Sequence, residues 1–289
     1  MQERELFKFL SRTLRWIGEH FKGLLFLLIV LAFLIPKQEG INHLANVEEI
    51  KLFGAIIDAQ DIVSQLEEAK HNPHIQGVLL NVNSPGGSVP PSIEISYAVA
   101  SLAKEKPVVV YASGILASGS YYGSIFATHI VANPGAVVGS IGVIMESVNL
   151  HAFLDKIGIS SQVVKEGRYK EAGTLMRQWT PQEREELTQL TKDTYALFTQ
   201  DVAKARGLSL QEVDQWANAH IFSAKRAKER GLIDEVGVKR TAINWLQQTL
   251  KLKRLIWKKE DPHQTLIEKI KKELGLKVEV GGYRLKASL

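Results

Sequence analysis

The chain has 289 residues, contains no cysteine and carries a formal net charge of +5. A disulfide framework and a thiolate metal site are therefore excluded. The 39 residues from Lys251 hold 11 Lys and Arg against 5 Asp and Glu, which leaves the first 250 residues close to neutral. This distribution argues against a nucleic-acid-binding face on the body of the protein. The basic tail, 251–289, is expected to form a solvated helix or to contact anionic lipid head groups.

An apolar segment lies close to the start of the chain. Residues 23–35 read GLLFLLIVLAFLI without a charge, and apolar neighbours can extend this run toward the roughly 20 residues that span a bilayer. Basic residues outnumber acidic ones before it, which predicts a cytoplasmic N-terminus. We therefore expect a cytoplasmic leader at 1–22, a transmembrane signal anchor at 23–36 and a linker at 37–46. The rest of the protein would then lie on the outer side of the plasma (inner) membrane.

Two other interpretations of the apolar segment are open. A cleaved signal peptide also has a short apolar region, but no A-x-A-like cleavage site follows in AFLIPKQEG. A buried core helix is disfavoured because a basic leader precedes the run and a polar stretch follows it. An uncleaved anchor remains the favoured prediction.

From residue 47, patterns typical of strands alternate with patterns typical of helices. This order indicates an α/β architecture with a mainly parallel sheet, over a domain at 47–250. Strands are predicted at 47–53, 77–82, 107–112, 129–133 and 160–164, and helices from Asp58 and over 91–105, 117–127, 181–206 and 223–230.

A glycine turn follows the second predicted strand. Residues 83–88 read NSPGGS, and adjacent glycines leave backbone N–H groups unobstructed. At the carboxyl end of a parallel strand these amides can point into a ligand crevice and stabilise an oxyanion. A plain turn from strand to helix is the alternative.

A cluster of serines follows the third predicted strand, in ASGILASGSYYGS at 112–124. A nucleophilic serine is best placed at a helix start, where the next amide can join an oxyanion hole. Ser118 has that position, whereas Ser113 is expected at the strand end and Ser120 and Ser124 inside the helix. The G-x-S-x-G elbow of the α/β-hydrolases is absent. Close helix packing is the alternative role for these serines.

The proton acceptor for such a serine is less obvious. None of the eight histidines lies in an evident catalytic setting, although His129 stays open. A lysine can act as the base when burial lowers its pKa. Lys170, in KEGRYKEAGT, follows the predicted strand SSQVV through a glycine turn, and Lys165 is the competing residue.

Four segments in this order give the sequence a specific resemblance: NSPGG, ASGSYYGSIFATHIVANPGAVVGSIGV, EGRYKEAGT and SAKRAKERGLIDEVG. Between residues 47 and 238 the chain resembles the signal peptide peptidase A family, which comprises membrane-anchored serine peptidases with a ClpP/crotonase-like fold. The resemblance implies this fold, a ring-like homo-oligomer, and no cofactor or metal. Because this chain has no duplicated half, serine and lysine would come from one domain.

The same resemblance implies roles for particular residues. Ser118 corresponds to the nucleophile, Lys170 to the general base, and Ser140 to a serine that orients the lysine. Gly87, with Gly86 beside it, would supply one oxyanion amide and Gly119 the other. The family usually reads A-S-G-G, whereas this chain has Ser120 after Gly119, which places a second hydroxyl near the site.

We therefore expect a membrane-anchored serine endopeptidase with a Ser/Lys dyad. The resemblance implies peptide substrates such as released signal peptides or other membrane-derived apolar segments. One alternative is an acyl-CoA hydratase or isomerase on a crotonase-like scaffold, and another is a non-catalytic membrane-tethered scaffold.

Overall fold

The computed structural model describes residues 44–259 and a few positions between 16 and 26. Leu44–Lys258 belongs to one compact unit, and the positions near 20, where His20 stacks on Trp16, belong to another. No helix within this described part of the chain is both long and apolar enough to cross a bilayer. The predicted anchor at 23–36 lies outside it apart from Gly23 and Phe26, as do residues 37–43 of the predicted linker and 260–289 of the predicted tail.

A mostly parallel sheet forms the centre of the compact unit. Its main strands run in the order β1-β2-β3-β4-β7, and β5 pairs in parallel with the second half of β3. β6 pairs antiparallel with β5. The strands are β1 Val47–Phe53, β2 Gly77–Ser84, β3 Val108–Ala117, β4 His129–Ala132, β5 Val137–Gly139, β6 Ile221–Ser223 and β7 Glu235–Val236.

Helices cover both faces of this sheet. The longest, α5 (Pro181–Arg206), follows a Thr180 capping box and is capped at its other end by Gly207, which has a positive φ of 65°. The helices are α1 Gln60–His71, α2 Val89–Ala103, α3 Gly119–Ser124, α4 His151–Lys156, α5 Pro181–Arg206, α6 Val213–Trp216, α7 Ala224–Glu229 and α8 Lys239–Thr249, with a 3₁₀ turn at Leu210–Glu212.

The central strands are buried on both faces, which explains their nearly continuous apolar sequences. On one face, Leu80 and Val110 belong to the larger hydrophobic core. On the other, Leu79 and Val109 pack in a smaller core that includes Leu246 of α8. The parallel strands bring their carboxyl ends, and the loops that follow them, to one edge of the sheet.

The first and last described segments of the unit meet at the amino end of β1. The N–H of Asn46 donates to the carbonyl of Ile256 over 2.8 Å, and that of Lys258 donates to the carbonyl of Val47 over 2.9 Å. The Lys258 ammonium also reaches the nearly buried carboxylate of Glu48 at 2.7 Å. The first and last described segments of this unit therefore lie side by side.

Three details of the predicted secondary structure are wrong. Residues 160–164 form no strand, because this segment is exposed and has no neighbouring strand among the described residues. The third strand runs on to Ala117 instead of ending near residue 112, since its second half pairs with β5. Ser113 consequently lies inside β3, and its hydroxyl donates to the carbonyl of Val82. Helix α3 is correspondingly shorter than predicted.

Candidate active site

Ser118 lies at a sharp turn between β3 and α3. Its φ of 56° and ψ of −122° fall where a serine is rarely found, so the surrounding contacts must hold it there. Its N–H donates to the carbonyl of Gly139 in β5 over 2.8 Å, and its carbonyl accepts from the N–H of Tyr122 over 2.9 Å. Its Oγ is buried and has no hydrogen-bond partner among the described residues. A free hydroxyl on a strained turn is typical of a reactive group rather than a structural one.

The sharp turn at Ser118 and Gly119 is called the elbow here. The glycine turn that follows β2 lies directly against it. Gly86 has a φ of +93°, and a Cβ placed there would lie 2.5 Å from the Gly119 nitrogen and 2.9 Å from the Ser118 Cβ. Only glycine allows so close an approach of two backbones. The turn and the elbow are therefore in contact, as an oxyanion hole built from both of them requires.

The amides of Gly87 and Gly119 are neighbours at this contact. Ile56 forms a bridge to the turn, in which its N–H donates to the Gly86 carbonyl and its carbonyl accepts from the N–H of Ser88. In this parallel bridge Ile56 bonds the two neighbours of Gly87 and not Gly87 itself, so the Gly87 N–H points away from Ile56. A Cβ on Gly119 would lie 3.2 Å from the Gly87 nitrogen. Two amides so placed can donate to one developing oxyanion.

Ser140 follows Gly139, the last residue of β5, whose carbonyl accepts the hydrogen bond from the Ser118 N–H. It too has a positive φ, of 49°, and it is nearly buried. Its N–H donates to the carbonyl of His220 over 2.7 Å. The structure thus brings Ser140, Ser118 and the two glycine segments to the same edge of the sheet.

An apolar cleft opens beside the two amides. Gly87 and Gly119 form part of its wall, and Ser92 and Thr194 also line it. The remaining lining residues are Val89, Tyr122, Gly142, Val143 and Phe198. Tyr122 stacks on Phe198 with ring centroids 4.5 Å apart, and its hydroxyl donates to Asp201. Burial and this bond raise the pKa of Tyr122, so its hydroxyl stays protonated and the cleft offers a small, uncharged surface.

Lys170 lies in a loop that is exposed in the single chain. Its side chain forms no hydrogen bond or ion pair with any residue that the structure describes, and only its N–H is engaged, by the carbonyl of Gly167. The predicted contact between Lys170 and Ser118 is therefore absent from the described part of one subunit. The competing Lys165 is engaged elsewhere, because its ammonium pairs with Glu171 at 2.7 Å.

An ion-pair network that the sequence analysis missed fixes the Lys170 loop. Arg177 donates to Glu171, the residue after Lys170, and to Glu183 in the first turn of α5. The Arg177 bond and the Thr180 N–H lower the pKa of Glu183 from 4.5 to about 2. Bonds from Lys165 and Arg177 lower the pKa of Glu171 as well. The T-P-Q-E sequence at 180–183 is a readable capping-box signal, but the arginine is not part of that pattern.

His129, left open above, is engaged at the start of β4. Its ring stacks on Trp245 and lies 3.4 Å from a Glu235 carboxylate oxygen. This is the amino end of the parallel strands, whereas Ser118 lies at their carboxyl end. Within the described part of the chain, no group of three or more His, Asp or Glu side chains is placed to hold a metal ion.

Two family profiles match parts of the chain. Residues 100–253 match the profile of "Peptidase family S49", and residues 38–127 match that of "Clp protease". A ClpP1 mutant from Listeria monocytogenes superposes with a TM-score of 0.48 at 16% identity, over 71% of this chain and 98% of that one.

Several relatives share more of the sequence. "Putative protease MJ0651" of Methanocaldococcus jannaschii is 40% identical over 66% of this chain and 61% of its own length. "Putative protease slr0021" of Synechocystis is 34% identical over 69% and 73%. "Putative signal peptide peptidase SppA" of Enterococcus faecium is 31% identical over 67% and 56%. The matched region thus spans 61% of the first relative's length, 73% of the second's and 56% of the third's.

An α/β sheet with profile matches to Clp protease and to peptidase family S49 places the chain in the class of the serine peptidases. More particularly, the chain belongs to peptidase family S49, the family of SppA-like enzymes, as the profile match and the 34% identity over most of the Synechocystis relative show. The acyl-CoA hydratase alternative is not favoured by these matches.

Proposed function

We propose that this protein is a membrane-anchored serine endopeptidase in which Ser118 is the nucleophile. The observation that carries the proposal is the Ser118 Oγ, which lies on a strained backbone and is buried without a hydrogen-bond partner among the described residues. Leaving a buried hydroxyl unpaired costs free energy, about 1–3 kcal/mol. Such a cost is expected where the missing partner is a base or a substrate.

The reaction would proceed through an acyl-enzyme. Ser118 Oγ attacks the peptide carbonyl while its proton passes to the neutral amine of Lys170. The amides of Gly87 and Gly119 stabilise the oxyanion. The Lys170 ammonium then protonates the leaving amine, the C–N bond breaks, and water releases the acyl group by the same route. Ser140 is assigned to orienting the lysine.

A second copy of the chain would complete this site. Lys170 is exposed in the single chain, and an amine becomes an effective base when it is shielded from water. The segment between residues 144 and 176 also exposes many large apolar side chains, which marks it as an interaction surface. They are Ile144, Val148, Phe153, Ile157, Ile159, Val163, Val164, Tyr169, Leu175 and Met176. We therefore assign the protein a homo-oligomer in which this segment covers a neighbouring subunit.

The cleft next to the oxyanion amides supports apolar peptides as substrates. Its walls are apolar or glycine, apart from two hydroxyls and the phenol of Tyr122, so a charged side chain there would lose its hydration without a partner. Released signal peptides and other membrane-derived segments have the small or apolar side chains that suit it. An N-terminal anchor at 23–36, with the peptidase domain on the outer side of the membrane, would place the site near such peptides.

The test uses the full-length protein in detergent and a fluorogenic apolar peptide. Ser118→Ala and Lys170→Ala should each lower kcat/KM by at least about 10³-fold, whereas the matched Lys165→Ala, which removes only one partner of Glu171, should lower it by about 10-fold or less. Parental cleavage by Ser118→Ala would refute the proposal. A serine-directed fluorophosphonate should label the parent but not Ser118→Ala. A folded parent that neither cleaves nor reacts would favour the non-catalytic scaffold instead.

A mixing experiment tests whether two subunits share each site. Ser118→Ala and Lys170→Ala subunits are inactive separately, but a mixed oligomer contains sites with an intact serine and an intact lysine. If neighbouring subunits supply them in a symmetric ring, statistical mixing should restore about one quarter of the parental rate. No recovery after demonstrated subunit exchange would place both residues in the same subunit.

A further inference from the structure

The hydroxyl of Ser120 joins the ends of two strands beneath the candidate nucleophile. Its Oγ accepts from the N–H of Ala117 over 2.9 Å and lies 2.7 Å from the carbonyl of Ser84 and 2.9 Å from that of Ala117. Ser84 ends β2 and Ala117 ends β3. The side chain of Ser120 is completely buried. One hydroxyl therefore satisfies polar backbone groups of both strands at the point where each turns into the site.

Each of these strand ends leads directly to one oxyanion amide. Beyond Ser84, whose own Oγ accepts from the N–H of Gly86 over 3.2 Å, the turn continues to Gly87. Beyond Ala117, the elbow continues through Ser118 to Gly119. Between Val82 and Ser84 the parallel register of β2 and β3 is also interrupted. The Ser120 hydroxyl thus links the ends of β2 and β3 next to the point where the hydrogen-bond register between these strands is interrupted.

We propose that Ser120 is a positioning residue that sets the spacing of the Gly87 and Gly119 amides. The inference rests on the function proposed above, since it concerns the same site. Oxyanion donors are effective only when they are held within a fraction of an ångström of the required geometry. Packing brings the glycine turn and the elbow together, and the Ser120 hydroxyl fixes how the two strand ends lie against each other.

The same contacts exclude Ser120 as the attacking group. Its oxygen is surrounded by three backbone groups, and its proton is directed to a carbonyl. The Ser118 oxygen, two residues earlier, has none of these partners. The Ser120 hydroxyl is therefore hydrogen-bonded to the backbone, whereas the Ser118 hydroxyl is free to act as a nucleophile.

Ser120→Ala should therefore act on the transition state more than on substrate binding. Removing a whole oxyanion donor costs about 10²–10³ in kcat, and misplacing two retained donors should cost less, about 10-fold. KM for an apolar peptide should change little, because the lining of the cleft is intact. Affinity for a peptide boronate, whose tetrahedral adduct occupies the oxyanion site, should fall with kcat.

Ser124→Ala is a matched control. Ser124 is also fully buried in α3, one turn further on, and its hydroxyl donates to the carbonyl of Ser120 over 2.8 Å. It does not touch β2 or β3 in the hydrogen bonds that the structure describes. Both variants remove one buried hydroxyl from the same helix, so both should lower the thermal unfolding midpoint, Ser120→Ala by more because its hydroxyl has three backbone partners. Only Ser120→Ala should lower kcat and boronate affinity.

The outcomes separate the inference from the proposed function. If the parent is active and Ser120→Ala matches Ser124→Ala in kcat and boronate affinity, Ser120 is merely structural and the inference is wrong. If Ser118→Ala keeps fluorophosphonate labelling and Ser120→Ala loses it, Ser120 is itself the nucleophile. Amide hydrogen exchange tests the link without activity, since loss of the Ser120 hydroxyl should speed exchange at Ala117. Unchanged exchange there would overturn the inference even in an inactive protein.

Discussion

Arg177 and Glu183 form a two-bonded ion pair at the start of α5, with nitrogen–oxygen distances of 2.8 and 2.7 Å. The same guanidinium reaches Glu171 at 2.9 Å. Because Glu171 follows Lys170 in the chain, the pair connects the loop that carries the proposed base to the longest helix of the unit. Planar, two-bonded arginine–carboxylate contacts fix orientation as well as distance.

Arg177→Ala should therefore weaken catalysis through the position of Lys170. We expect kcat to fall about 10-fold, since small displacements of a catalytic group cost one or two orders of magnitude. Arg184→Ala is the control, because Arg184 lies in the first turn of α5 and its described side-chain contact is with the Trp179 ring, not with Glu171 or Glu183. Steady-state kinetics with the apolar peptide measures both variants. Equal, small effects would show that the network does not position the base.

The Glu183 carboxylate should stabilise the fold above about pH 4.5. Its pKa lies near 2 in the folded protein, against an ordinary value of 4.5. Because the folded pKa is the lower one, this stabilisation is fully present above 4.5 and is lost as pH falls toward 2. Glu183→Gln carries no charge at this position and therefore lacks the pH-dependent stabilisation. The parent's advantage in free energy of unfolding, measured with urea between pH 2 and 7, should therefore disappear at the acid end. An advantage independent of pH would contradict the assignment.

Substitutions of the two oxyanion glycines should differ in kind. A Cβ on Gly87 would lie 2.0 Å from the carbonyl oxygen of Ile56, which is backbone and cannot move aside. Gly87→Ala should consequently disrupt folding. A Cβ on Gly119 would meet the Ser92 Oγ at 2.2 Å, a side chain that can be removed. Gly119→Ala should lower the unfolding midpoint, and Gly119→Ala with Ser92→Gly should recover much of it. No recovery would locate the strain elsewhere.

Enlarging the cleft should broaden the peptides that are cleaved. Val143 lines the cleft beside Gly142, and its truncation to alanine removes two methyl groups from the wall. Val143→Ala should raise kcat/KM for peptides with a larger apolar side chain next to the cut, by about 10-fold or less, since each buried CH₂ contributes about 0.8 kcal/mol. The neighbouring Ile144 is exposed, and Ile144→Ala should leave the preference unchanged. A cleavage profile over a peptide library makes the comparison.

Tyr121→Phe should destabilise the unit without changing the site. The Tyr121 hydroxyl donates to the carbonyl of Leu232 over 2.8 Å, and the side chain is fully buried. Loss of this bond should cost about 1 kcal/mol, measurable as a lower urea midpoint with an unchanged slope. Fluorophosphonate labelling of Ser118 should proceed at the parental rate, and a large fall in labelling would show that Tyr121 also supports the elbow.

Much of the site was predictable because its parts are local. The β-α alternation, the glycine turn after β2 and the position of Ser118 at a helix start follow from short patterns whose backbone demands are specific. The extension of β3 to Ala117 was not predictable, because it depends on pairing with a three-residue strand that has no pattern of its own. SSQVV has the residues of a strand, but it is exposed and pairs with no strand in the part of the chain that the structure describes. The surroundings of Lys170 were not predictable, because Lys170 lies in an exposed loop whose environment is not set by a local sequence pattern.

The meeting of Asn46 with Ile256 has a practical consequence for handling the protein. Both ends of the compact unit leave the amino edge of the sheet, whereas the Ser118 elbow lies at the carboxyl edge. A short peptide joining residues near 44 and 258 would close the unit into a ring, and new termini could then be opened in a surface loop. Surface tethers attached at residues near 44 or 258 would lie at the opposite edge of the sheet from Ser118.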